Sequence, residues 1–384
     1  MIYLDNAATS FPKPKTVSAA MLDYLENIGA SPGRSGHQLA AAAGRILFQT
    51  RKALTRLFKL SDPGRIIFSE NATAALNLAL FGLLRSGDRV LVSGLEHNCV
   101  MRPLRRLEEL RQITIDILPG TATSHYDLKL MAQWCEQKNY RLAVINHGSN
   151  VIGSLAPLAT MLPLLKEHNI ISVIDGAQSA GAHPFDLSTL DPDIFCFTGH
   201  KSLFGPPGTG GLYIKTGIEP QPLIYGGTGS RSETEYQPEF LPDKYESGTP
   251  NTVGLAGLKA GLEFIAETGL KNIIEHENKL AETLFHNLRE IPGLTLYEPR
   301  PDDEKLPVVS FTLADLNCSE IGSRLDREFT IMARVGLHCA PRAHQSIGTF
   351  PQGTVRLSPG YFNRVEEMVE VIRAISIIAG GHND

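Results

Sequence analysis

Lys201 lies in Gly199-His200-Lys201, just after the apolar run 194–197 and before the turn-forming Leu203-Phe204-Gly205-Pro206-Pro207-Gly208. A lysine at the end of a buried strand sits at the carboxyl edge of a sheet, where open α/β sheets bind ligands. Partial loss of water there lowers its pKa and frees the amine as a nucleophile. An exposed loop lysine is the plain alternative. A nucleotide phosphate loop is not one, because the glycines nearby do not form GxxxxGK[ST]. Asp175 ends a second apolar run, 170–174. A carboxylate at a buried strand end is costly without a cation. The pyridinium nitrogen of pyridoxal phosphate (PLP) is such a cation, and an acidic partner makes that ring an electron sink. The competing role for Asp175 is to cap the turn Asp175-Gly176-Ala177-Gln178.

A phosphate needs donors. Asn71-Ala72-Thr73 opens an apolar helical segment whose first N–H groups face outward, with the Thr73 hydroxyl beside them. Plain N-capping by Ser69 or Asn71 is the other reading. His97, in Leu95-Glu96-His97-Asn98, follows an apolar run at 90–92 and could lie flat on an aromatic ring, or be an ordinary surface histidine.

Strand-like and helix-like stretches alternate around these residues. Strand-like runs occupy 65–68, 88–93, 113–118, 142–146, 170–175, 194–197 and 211–214, and helical patterns fill 72–84 and 158–167. Continuous apolar runs with helices between them predict a mainly parallel sheet buried on both faces. The stretch 225–251 is rich in Gly, Pro, Ser, Thr and charge, and reads as a long functional loop. Helices dominate beyond it, with a strand region at 305–313 and a helix period over 363–378. The fold class is α/β: a large domain over 15–250, a smaller α+β domain over 251–384, and a segment 1–14 that packs with the smaller one.

The chain has 384 residues, 20% of them charged, and a net charge of −5, with no basic block to suit nucleic acid or an anionic membrane. Asp5 interrupts the start where a secretory apolar region would begin, and no apolar run is long enough to span a bilayer. Five cysteines, an odd number without CxxC spacing, argue against a zinc site or a disulfide framework and for a reducing compartment, the cytoplasm.

Taken in order, Tyr3-Leu4-Asp5-Asn6-Ala7-Ala8, Glu96-His97, Ser149-Asn150-Val151, Asp175-Gly176-Ala177-Gln178, Thr198-Gly199-His200-Lys201 and Val355-Arg356 resemble the class V aminotransferase group of fold-type I PLP enzymes. The resemblance implies that Lys201 carries the cofactor and moves the substrate Cα proton. It pairs Asp175 with the ring nitrogen, stacks His97 on the ring and puts Gln178 and Asn150 near the ring oxygen. Ala72, Thr73, Thr198 and His200 would hold the phosphate. Gly248 and Thr249 would reach the phosphate of a neighbouring subunit, giving a homodimer with shared sites. Arg356, with Asn150 and Arg34, would bind the amino-acid substrate.

Arg334-Val335-Gly336-Leu337-His338-Cys339-Ala340 is similar to the cysteine loop of group II cysteine desulfurases. In that chemistry a Cys339 thiolate takes the sulfur of cysteine, leaving alanine and a persulfide that a sulfur-acceptor protein can collect. Arg334 or His338 would favour the thiolate. A selenocysteine lyase, or an aminotransferase or epimerase on the same scaffold, is the alternative. Cys196 and Cys135 read as packing, nothing singles out Cys318, and Cys99 is close enough to His97 to stand apart. The chain departs from the family pattern at Asn71-Ala72, where Gly-Thr is expected. It departs again at Pro341-Arg342-Ala343-His344-Gln345, which is more polar than expected and reads as an altered substrate or partner surface.

Overall fold

A computed structural model describes residues 1–33, 36–120, 126–300 and 303–380. The chain begins with β1 (Ile2–Tyr3), α1 (Lys15–Asp23) and α2 (Gln38–Leu57). A central sheet follows, made of β2 (Ile66–Ser69), β3 (Arg89–Ser93), β4 (Thr114–Leu118), β5 (Leu142–Asn146), β6 (Ile171–Asp175), β7 (Ile194–Thr198) and β8 (Gly210–Ile214). Interleaved with these strands are α3 (Ala72–Leu83), α4 (Asn98–Arg111), α5 (Leu128–Gln137), α6 (Leu158–Glu167) and the short α7 (Leu187–Leu190). The seven strands run in the order β2-β8-β7-β6-β5-β3-β4. Neighbours from β7 to β4 are parallel, and β8 is antiparallel to both β7 and β2.

The apolar runs are continuous because each strand feeds two cores. Val90, Val92, Val144, Val173 and Cys196 pack beneath α3 and α4 with Leu76, Leu80, Leu104 and Leu107. Leu91, Ala143, Ile145, Ile174, Phe195 and Phe197 face the opposite layer, where they meet Met131, Met161 and Leu165. Alternation sends successive residues to opposite faces, so a sheet covered on both sides needs apolar residues at both.

After the long loop come α8 (Thr252–Thr268) and α9 (Leu270–Leu288). Residue 250 was expected to divide the domains, yet Leu255, Leu258, Leu262 and Ile265 of α8 pack in the first core. The second core draws on Leu280, Leu284 and Phe285 of α9. It continues through β9 (Leu294–Tyr297), β10 (Val309–Leu313), α10 (Cys318–Phe329), β11 (Ile331–Met332), β12 (Arg334–Gly336), α11 (Pro341–Ser346), β13 (Thr354–Leu357) and α12 (Val365–Gly380). Its antiparallel sheet has the order β12-β13-β10-β9. The N-terminal β1 pairs with β11, and Ile2 and Leu4 enter this second core. Glu277 of α9 is buried beside the junction of the two cores, lines a small cavity with Gln178 and Tyr361, and accepts from the Tyr361 backbone N–H. Among the described residues, no helix is long and apolar enough to cross a membrane.

Candidate active site

The parallel strands end together, and their carboxyl ends carry the residues singled out from the sequence. Asn146 closes β5, Asp175 closes β6 and Thr198 closes β7, with Lys201 three residues farther on. His97 precedes α4 and Asn71 precedes α3. These ends open into a cavity of about 240 Å³ lined by Ala72, Thr73, His97, Asn150, Asp175, Gln178, Thr198, His200, Lys201, Cys339 and Arg356. Gly248 and Thr249 line a separate hollow with Phe68, Leu223 and Ile224. Arg34 lies outside the described residues.

The Lys201 amine is pushed down to about 8, chiefly by burial, with the Asp175 charge opposing the shift. The Asp175 Oδ1 accepts from the Ala177 N–H at 2.9 Å, so the carboxylate does cap its turn while also facing the cavity. His97 caps α4 with its ring: Nδ1 accepts from the Cys99 N–H at 3.0 Å. That bond leaves Nε2 to carry the ring proton. Burial holds the imidazole neutral by lowering its pKa to about 4. A neutral, oriented ring is suited to stacking.

At α3, the Asn71 Oδ1 accepts from the Ala74 N–H at 2.9 Å. The N-cap reading therefore holds, and it coexists with an anion site, because the N–H groups of Ala72 and Thr73 have no acceptor within the helix. Burial lowers the His200 imidazole to about 4. The His200 carbonyl is gripped by the N-terminal segment, accepting from the Ser10 N–H at 3.1 Å and the Thr9 hydroxyl at 3.0 Å.

The other side of the cavity is built from the domain of the second core. The Arg356 side chain is 2% exposed. Its Nη1 donates to the Asn150 carbonyl at 2.9 Å and its Nη2 to the Asp5 Oδ1 at 2.7 Å. The Asn150 Nδ2 in turn donates to the His338 carbonyl at 2.7 Å. Asn150 thus ties the large domain to both Arg356 and the Cys339 loop. His338 and Cys339 both have positive φ, 47° and 56°, a region that L residues seldom occupy. This bend presents the exposed Cys339 thiol to the cavity and to an outer hollow lined by Thr73, Phe81, Arg102 and Arg106. Burial drives His338 down to about 2, so its ring is not the cation expected beside Cys339, which leaves Arg334, also lining the cavity.

Asp5 anchors Arg356, a function that its place in the N-terminal motif does not reveal. Glu96 is likewise easy to pass over. It is fully buried, accepts from the Ser93 hydroxyl at 2.5 Å and the Asn146 N–H at 2.7 Å, and is raised to about 8 by burial. Its signal was a carboxylate next to His97 directly after an apolar strand.

PLP fits these residues. The Thr198 hydroxyl, the Asn150 Oδ1 and the Arg356 Nε are buried without partners. An unpartnered buried polar group is costly, so each is a position that a polar ligand would complete. A hydroxyl beside a helix N-terminus, an amine of lowered pKa and a carboxylate opposite it match a phosphate, an aldehyde and a ring nitrogen.

The aminotransferase class-V family model matches residues 2–371. A cysteine desulfurase of Escherichia coli is 33% identical over 349 residues, covering 88% of this chain and 84% of the relative. The apo structure of a cysteine desulfurase from Thermococcus onnurineus superposes with a TM-score of 0.92 at 31% identity, covering 99% of this chain and 95% of the other. The Escherichia coli cysteine desulfurase CsdA does so with a TM-score of 0.87 at 26% identity, covering 97% and 93%. A match over nearly the whole chain, in sequence and in fold, leaves one conclusion: this chain belongs to the class V aminotransferase family.

Proposed function

We propose that the chain is a PLP-dependent cysteine desulfurase that converts L-cysteine to L-alanine and carries the sulfur away as a persulfide on Cys339. One observation carries this reading: an exposed cysteine thiol at the mouth of the cavity that contains Lys201, Asp175 and Arg356. Bound PLP would supply an electron sink for the substrate's Cα. Lys201 holds the cofactor and moves the Cα proton, a task that suits an amine with pKa near the working pH. Asp175 would face the ring nitrogen and His97 the ring surface. Gln178 and Asn150 would stand near the ring oxygen, and Ala72, Thr73, Thr198 and His200 would take the phosphate. Arg356 holds the substrate carboxylate. The Cys339 thiolate attacks the substrate sulfur; an S–S bond forms, the Cβ–S bond breaks, and protonation of the carbon skeleton releases alanine.

The outer hollow beside Cys339 gives a persulfide there a way out to a sulfur-acceptor protein. The protein acts as a homodimer in which Gly248 and Thr249 complete the partner's phosphate site. Support comes from their position outside their own chain's cavity, next to the exposed Leu223, Ile224 and Tyr225. The five free cysteines suit a reducing cytoplasm.

The test incubates purified, PLP-loaded protein with cysteine and separately with selenocysteine, and measures alanine, sulfide and selenide. Mass spectrometry without reductant follows the peptide containing Cys339. Alanine formation with one extra sulfur on Cys339 supports the proposal. Alanine and selenide from selenocysteine alone would favour the lyase, and neither product from either substrate would favour an aminotransferase or epimerase.

A further inference from the structure

Cys99 is the second residue of α4, buried to 8% exposure, and its side chain lines the active-site cavity. The proposed reaction gives it no task. Its backbone N–H donates to the His97 Nδ1 at 3.0 Å, while its Sγ lies 3.4 Å from the Asp175 Oδ2. One residue thus touches both groups that would frame the cofactor ring, the imidazole on its face and the carboxylate at its nitrogen. The two contacts leave the thiol a single chemical role. Asp175 Oδ1 is already taken by the Ala177 N–H, and a carboxylate can only accept, so the sulfur must donate.

We infer that Cys99 is a positioning residue: its S–H donates to Asp175 and aims the carboxylate at the ring nitrogen, while its backbone sets the His97 ring. The inference rests on the proposed pairing of Asp175 with PLP. The surroundings keep the thiol in its donor form. Burial first, then the Asp175 charge, raises the Cys99 pKa well above the ordinary thiol value. A thiol held protonated is a poor nucleophile. Cys99 therefore does not compete with Cys339 for sulfur, although both line the cavity.

The test uses the PLP-loaded protein and its visible absorbance as a function of pH, with no turnover needed. Cys99→Ala and Cys99→Val both lack a donor and bracket the thiol in size, while Cys99→Ser retains one. Without the S–H, more of the Asp175 negative charge would be felt by bound PLP and would favour its protonated form, so the midpoint of the absorbance change should move upward, by roughly half a unit to one unit. Both donorless variants should show this shift, and Cys99→Ser should titrate near wild type. A midpoint that stays put in Cys99→Ala and Cys99→Val overturns the inference, and so does a Cys99→Ser shift as large as theirs, which would trace the effect to packing. Absence of visible absorbance in the wild-type protein would overturn the PLP reading itself; an intact absorbance with an unmoved midpoint overturns the function of Cys99 alone.

Discussion

The Asn98 backbone N–H donates to the Cys339 carbonyl at 2.8 Å, joining the thiol-bearing loop to the first residue of the helix that His97 caps. The Cys339 thiol and the His97 imidazole are thus linked through one backbone bond between residues far apart in sequence. The strained backbone at His338 and Cys339 is over-determined by this bond and by the Asn150 contact.

That placement makes Cys339 the decisive substitution. Cys339→Ser should retain the fold and the bound PLP, since a hydroxyl fills nearly the same space. Sulfur transfer from cysteine should stop, because an unactivated hydroxyl does not replace a thiolate. Sulfide and alanine assays on the purified variant check this. Desulfuration at the wild-type rate would remove the proposed mechanism.

Lys201 should be the site of covalent attachment. Borohydride treatment should fix PLP to the peptide containing Lys201, and Lys201→Ala should lose the label. The reactive form of the amine is the unprotonated one, and burial lowers its pKa to about 8. PLP uptake by cofactor-free protein should therefore quicken as pH rises through about 8 and level off above it. A rate still climbing at pH 10 would mean an ordinary solvated lysine.

Arg356→Lys should weaken substrate binding. An ammonium cannot hold the Asn150 carbonyl, Asp5 and a substrate carboxylate in one plane. Loss of a charge-assisted pair costs about 1.5–3 kcal/mol, roughly ten- to a hundred-fold in affinity. Titration with cysteine, with thermal melting as a control for folding, measures it. Unchanged affinity would place the carboxylate elsewhere.

Subunit mixing tests the shared site. Lys201→Ala and a Thr249→Ala variant, each inactive alone, should regain part of the activity when their subunits exchange, because one site of the hybrid has both residues intact. A monomeric protein with full activity at assay concentration would contradict the arrangement.

Glu277 should tie stability to pH. Burial raises its folded-state pKa to about 8, well above an unfolded carboxyl. The group is neutral when folded and ionised when unfolded between those values. Its contribution is complete at acid pH and is lost as pH rises towards 8. Glu277→Gln removes the titration, so the variant should melt above wild type by a margin that grows between pH 5 and 8. Melting curves with a constant difference across that range would argue against a buried neutral carboxyl.

The sheet was legible because both of its faces are covered, so its strands appear as unbroken apolar runs. The positions of Asp175 and Lys201 were legible because the first ends such a run and the second closely follows one. Other features had weaker signals. The boundary near 250 was drawn where composition changes, but α8 extends beyond the loop and returns its leucines to the first core. The stretch after Cys339 looked like polar surface, yet it forms α11, with Ala343 and His344 buried and Gln345 outward. An inward face made of alanine and histidine leaves little apolar period to detect. Asp5 could not be linked to Arg356 from spacing, since 351 residues separate them.

The pairing of β1 with β11 sets an order of events during synthesis. Position 2 is made more than three hundred residues before its strand partner at 331. At roughly 5–20 residues per second, β1 waits tens of seconds for a neighbour. Asp175 and Lys201 are already made by then, whereas Cys339 and Arg356 are not. A nascent chain thus has Asp175 and Lys201 before it has Cys339 and Arg356, and Asp5 can close onto Arg356 only after both have been made.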